Sequence, residues 1–79
     1  MELSQFVERI KEEFEEDYNI GDINPDTHIK DMDWWSSMHM LVIIALIDSE
    51  YDIMLSPSEI REANSIRSLF EIAKAKTNG

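Results

Sequence analysis

Cysteine is missing altogether from this 79-residue chain, and glycine and proline occur only twice each. Without thiols there is neither a disulfide framework nor a thiolate metal site, so a compact apolar core has to supply the stability. Basic residues are scarce as well, with seven Lys/Arg against seventeen Asp/Glu and a net charge of -10. A surface of that sign repels nucleic acid and anionic lipid and draws in basic partners. Long apolar runs are absent: "MHMLVIIALI", residues 38–47, is far shorter than the ~20 residues a membrane span needs. Leu3, Phe6, Val7 and Ile10 are interleaved with charge, which is not the pattern of a signal peptide. A chain this short is expected to be one domain over residues 1–79, burying only about 60% of its unfolded surface, with no room for a deep enclosed active site. These absences together point to a cytoplasmic protein whose chemistry lies on its surface or on a group attached to it.

What is present is unevenly placed. Residues 1 to 33 carry eleven Asp/Glu and three Lys/Arg, and so hold most of the net charge. A solvated helix face and a field that steers basic partners both account for this.

The apolar spacing predicts helices. Leu3, Val7, Ile10 and Phe14 fall at i, i+4, i+7 and i+11, giving an amphipathic helix over residues 3–17 that stops near Asn19 and Gly21. "DINPDTHIKDMDW" then reads as a long loop pinned by Ile23, Ile29 and Met32. A second helix is expected from Ser36 or Ser37 to about Tyr51, with Met40, Ile43, Ile44, Ile47 and Tyr51 as its core stripe. "SPSE" announces a short third helix, with Ser56 as N-cap, Pro57 at the first position and Glu59 closing a capping box, ending near Ala63 and Asn64. Ser65 then caps a fourth helix with Ile66, Leu69, Phe70 and Ala73 inward and Lys74 and Lys76 toward its negative end. No stretch alternates with period two. The expected fold is all-α, a small four-helix bundle with a long first loop and a short third helix.

Several chemistries can be weighed on these residues. Residues 22–33 approach a calcium loop, with Asp22, Asn24 and Asp26 at positions 1, 3 and 5. Thr27 stands where the turn needs glycine, Asp33 where a glutamate closes the cage, and Lys30 would face the ion, so local turns are the favoured account. His28 and His39 lie on different elements and read as surface residues rather than metal ligands. A Ser-His-Asp hydrolase has no strand before Ser37 and no Gly-x-Ser-x-Gly elbow.

Two adjacent serines cannot both cap one helix. If Ser36 is the N-cap, Ser37 occupies the first helical position, where a phosphate ester gains from unsatisfied backbone N–H groups and the helix dipole. Opposite the expected core stripe lie Met38, Val42, Ala45 and Ser49, an apolar patch beside an exposed hydroxyl that suggests a docking surface unless a loop or second copy covers it.

With "WSSM" at residues 35–38 leading into "IIALIDSEYDIML", most of the chain resembles the acyl carrier protein family. That family is a four-helix bundle with a long first loop and a short third helix, and its signature is Asp-Ser-Leu at the start of helix two, with 4'-phosphopantetheine on the serine. Counting back from the aromatic Tyr51 puts the attachment at Ser37 and the leucine-type position at Met38. The resemblance implies a carrier without catalysis of its own. A phosphopantetheinyl transferase would load the arm from coenzyme A, and an acyl-loading ligase and acyl-transferring or synthase enzymes would exchange an acyl or aminoacyl thioester on it, with Met38, Val42 and Ala45 as contact surface and a monomer as the carrier. Two departures stand out. Ser36 replaces the usual Asp, and no acidic residue lies between Ser36 and Ile47, which points to a specialised pathway rather than bulk fatty-acid synthesis. The alternative from a different class is an acidic helical adaptor, or a calcium-responsive module, that binds a protein through the loop or the patch with no prosthetic group.

Overall fold

The computed structural model describes residues 2–15 and 23–77. It is all-helical: α1 Leu3–Glu15, α2 Ser37–Tyr51, α3 Pro57–Glu62 and α4 Ile66–Thr77, with a 3₁₀ turn at Ile29–Asp31 and no strand among the described residues. The expected end of the first helix at Asn19 and Gly21, and Asp22 of the loop, lie outside the described residues.

Phe6, Val7, Ile10 and Phe14 form the buried stripe of α1, with Leu3 half-buried at its start. Phe6 meets Phe70 of α4 edge-on at 5.4 Å and Tyr51 at the end of α2 at 5.9 Å. At the other end of α1, Phe14 lies 5.7 Å from His39 near the start of α2. The two helices therefore run antiparallel, and Arg9 clamps them by donating to Glu50 at 2.6 Å. Glu50 raises the Arg9 pKa above its ordinary value through that hydrogen bond.

The short third helix starts as its local chemistry dictates. Ser56 is its N-cap, accepting from the Glu59 N–H, while Glu59 Oε1 accepts from the Ser56 N–H at 2.8 Å, and Pro57 opens the helix. Ser65 caps α4 through Ser68 N–H at 3.1 Å, and Ile66, Leu69, Phe70 and Ala73 are all buried as expected. Lys76 joins α4 to the region before α3, donating to Met54 O and Glu59 Oε1, both at 2.7 Å.

The loop before α2 acts as a buckle. Asn24 Oδ1 accepts from Asp26 N–H at 2.8 Å and Thr27 Oγ1 from Asn24 N–H at 2.9 Å, which closes the turn. Its carbonyls then accept from the start of α4, Ile66 N–H to Thr27 O and Arg67 N–H to Pro25 O. Arg67 also pairs with Asp26 at 3.1 Å. These bonds satisfy N–H groups that a helix start leaves open.

Helix α2 corrects the expected wheel. His39, Ile43, Leu46 and Ile47 are its buried residues, whereas Met40, Ile44 and Tyr51 are only half-buried. The buried stripe is thus turned by about 70° from the expected one, at 100° per residue. Val42 moves with it: expected outside, it is half-buried and packs against the core. Leu41, placed on neither face beforehand, is 59% exposed.

Candidate functional site

The start of α2 is built around His39. The chain turns at Met32, where Trp35 N–H donates to Met32 O, and enters Ser36 in extended conformation. Ser36 is the N-cap, its carbonyl accepting from His39 N–H at 3.0 Å and Met40 N–H at 3.4 Å. In return, the Ser36 N–H donates to His39 Nδ1 at 3.0 Å, with Ser36 Oγ 2.9 Å from the same nitrogen. The imidazole stands where a capping box usually has Glu or Gln. Because Nδ1 accepts the backbone N–H, the ring proton in this arrangement lies on Nε2.

His39 had been expected at the surface, and this is corrected: only 4% of it is exposed. Its ring sits among Phe14, Trp34 at 5.2 Å and Trp35 at 5.8 Å. His28 does lie at the surface, 3.6 Å from Asp31.

Ser37 is the first residue of α2 and is exposed, and its hydroxyl has no hydrogen-bond partner among the described residues. The two serines are therefore divided between two tasks, one capping the helix and one presenting a hydroxyl. Beside Ser37 an open groove of about 240 Å³ runs between α2 and α3, lined by Lys30, Trp35, Ser36, Ser37, Met40, Ile60 and Arg61. Lys30 does not face the loop that resembles a calcium site. Its ammonium donates to Ile60 O at 3.1 Å and Arg61 O at 2.7 Å, taking up carbonyls at the end of α3. The exposed Arg61 guanidinium has no hydrogen-bond or ion-pair partner among the described residues and leaves a cation at the groove.

Of the residues expected to form the contact patch, Met38 is 61% exposed and Ala45 is exposed, while Val42 is half-buried and reaches the surface only in an open groove that it lines with Ala45, Arg9 and Glu13. Leu41 takes its place, so Met38, Leu41 and Ala45 make an uncharged outer face. The spacing of Met38, Leu41 and Ala45 at i, i+3 and i+7 was the signal for it. The Ser-x-x-His spacing of Ser36 and His39 was the matching signal for the cap. Asn24 and Thr27 are committed to their turn and Asp26 to Arg67, and among the described residues no cluster of three metal-ligating side chains occurs. Among the described residues no helix is long and apolar enough to cross a membrane.

Comparison of the chain with family models, curated proteins and solved structures returned no match.

Proposed function

We propose that this chain is a carrier protein, with 4'-phosphopantetheine esterified to Ser37 and an acyl or aminoacyl group held as a thioester on the arm. One observation carries the reading: Ser36 and His39 close the cap on each other, leaving Ser37 exposed at the first position of α2 with no hydrogen-bond partner for its Oγ among the described residues. Three further features support it. A phosphodiester at that position meets backbone N–H groups and the positive end of the α2 dipole. Arg61, which lines the same groove and whose guanidinium has no ion-pair partner among the described residues, suits its charge. The uncharged face of Met38, Leu41 and Ala45 begins one residue further on and gives partner enzymes an apolar contact next to the arm.

The chain itself supplies no catalysis in this scheme. It fixes the attachment point, stabilises the phosphate and presents the cargo to a loading ligase and to the enzymes that take the acyl group on. The absence of acidic side chains between Ser36 and Ile47 sets it apart from carriers read by basic grooves and fits a specialised pathway.

The test is intact mass after incubation with coenzyme A and a broad-specificity phosphopantetheinyl transferase. Wild type and Ser36→Ala are expected to gain one phosphopantetheine, and Ser37→Ala none. Labelling of Ser37→Ala at the wild-type level, or no gain by wild type, overturns the assignment.

A further inference from the structure

Adjacent serines give α2 a choice of two starts. In the observed one, Ser36 is the N-cap and Ser37 the first helical residue. If that first residue unwound, Ser37 would become the N-cap, and its Oγ would accept from the N–H three residues on, that of Met40. The hydroxyl would then be spent on the cap. As caps the two serines are chemically equal, so the side chains themselves do not decide. The donor for the second start is close at hand, because the Met40 N–H is held at only 3.4 Å by Ser36 O. Helices α3 and α4 face no such choice, since Pro57 and Ile66 follow their caps.

What separates the two starts is the side chain three positions after each serine. From Ser36 that is His39, whose Nδ1 accepts from the Ser36 N–H at 3.0 Å and lies 2.9 Å from Ser36 Oγ. From Ser37 it is Met40, whose thioether is a weak acceptor and offers no comparable return bond. The imidazole is also held ready. Its ring is 4% exposed and lies against Phe14 of α1 at 5.7 Å, Trp34 at 5.2 Å and Trp35 at 5.8 Å. Packing has already ordered it, so closing the bond to Ser36 costs little further side-chain freedom.

We propose that His39 is a positioning residue that locks the start of α2 at Ser36 and so keeps the Ser37 hydroxyl available for modification. This rests on Ser37 as the attachment point. Buried as it is, His39 does not meet the modifying enzyme and acts only through Ser36. Without an acceptor at position 39 the two starts are matched serine caps, and each is occupied about half of the time. A transferase that takes only the exposed hydroxyl then finds about half of the chains competent, which raises KM about two-fold and leaves kcat unchanged.

Two substitutions separate this role from packing. His39→Phe keeps a ring against Phe14, Trp34 and Trp35 and removes the acceptor, whereas His39→Asn removes the ring and keeps an acceptor near the place of Nδ1. A residue that only packs is replaced better by Phe, and the lock is replaced better by Asn. The ¹³Cα and ¹³Cβ shifts of Ser37 tell helical from extended backbone, with no transferase needed. They are expected at helical values in wild type and His39→Asn, and in His39→Phe about midway to the extended values that mark Ser36 as the cap. With coenzyme A and the transferase, His39→Phe is expected to show a KM about two-fold higher at unchanged kcat, and His39→Asn the wild-type KM. His39→Leu and His39→Gln stand in, without and with an acceptor, should the first variant of either kind not fold. Helical Ser37 shifts in the variant without an acceptor overturn the proposal. So do Ser37 shifts displaced as far in the acceptor-bearing variant as in the other. A wild type that gains no phosphopantetheine overturns the attachment reading instead, and the carbon shifts still decide the lock.

Discussion

Ser36 and Ser37 are the same side chain one residue apart, yet their environments give them opposite energetic roles. Removing the Ser36 hydroxyl weakens a cap, and such substitutions cost about 1 kcal/mol. In a domain of this size that lowers the melting temperature by roughly 4–8 °C. Ser37→Ala removes an exposed hydroxyl with no partner among the described residues, and its effect is expected within about 0.5 kcal/mol. Thermal melts of the two variants check this, and a larger loss for Ser37→Ala would mean that the roles are exchanged. His39 carries its own signature. Long-range ¹⁵N–¹H correlation spectra should show Nδ1 unprotonated and Nε2 protonated, because Nδ1 accepts from the Ser36 N–H. A proton on Nδ1 would rule out the cap as described. Ser37 was legible in the sequence because adjacent serines at a helix start force a choice. His39 was not, because whether a polar residue in an apolar run points inward depends on what packs over it, here Phe14, Trp34 and Trp35.

The helices differ in how far local sequence determines them. Helix α3 and the start of α4 came out as expected because their caps, Ser56 with Glu59 and Ser65 with Ser68, are chemistry between residues three apart. Helix α2 did not, because "LVIIALI" is apolar all round and offers no polar face by which to orient it. Its rotation is set instead by long-range contacts, Phe14 on His39 at one end and Phe6 on Tyr51 at the other. Three substitutions to glutamate test that orientation. Leu41→Glu should leave the bundle folded, and Val42→Glu should cost about 1–3 kcal/mol as a partly desolvated carboxylate. Ile43→Glu should not fold at all, since Ile43 is fully buried. Denaturant melts rank the three, and Leu41→Glu less stable than Val42→Glu would return the helix to the orientation first expected. At the start of α3, the Lys76 ammonium and the Ser56 N–H hold the Glu59 carboxyl below the usual glutamate range. A lowered folded value gives stability that is present above the unfolded value and lost as the pH falls through the folded one. Glu59→Gln keeps a capping-box side chain but loses the charge. The stability gap between wild type and this variant should therefore be constant near neutrality and close as the pH drops below about 4.3. A gap that does not change with pH would remove the charge from the account.

For the whole molecule, the densest run of acidic residues and the uncharged outer stretch of α2 are carried by different helices. The helices enclose one core, from Phe6 and Ile10 to Ile66 and Ala73. On its outside, α1 shows Glu8, Glu12 and Glu15 to solvent, whereas the outer face of α2 from Met38 to Ala45 has no charge. A net charge of -10 on 79 residues opposes the compact state through self-repulsion, and salt screens it. Adding salt from about 0.01 to 0.15 M, which shortens the Debye length from about 30 to about 8 Å, should therefore raise the melting temperature. Glu8→Lys should raise it at low salt and give less benefit at high salt, because the new cation lies one turn from Glu12. The same variant separates steering from contact in any partner complex. Glu8 is an exposed residue of α1 and not one of Met38, Leu41 and Ala45, so Glu8→Lys should slow association with a basic partner at low salt and leave dissociation unchanged. Leu41→Glu should do the reverse at an apolar contact, speeding dissociation with little salt dependence in the effect. Stopped-flow association and dissociation rates on the two variants decide the matter. If Glu8→Lys alters dissociation and Leu41→Glu does not, the partner sits on the acidic helix, and the uncharged face beside Ser37 is not where it binds.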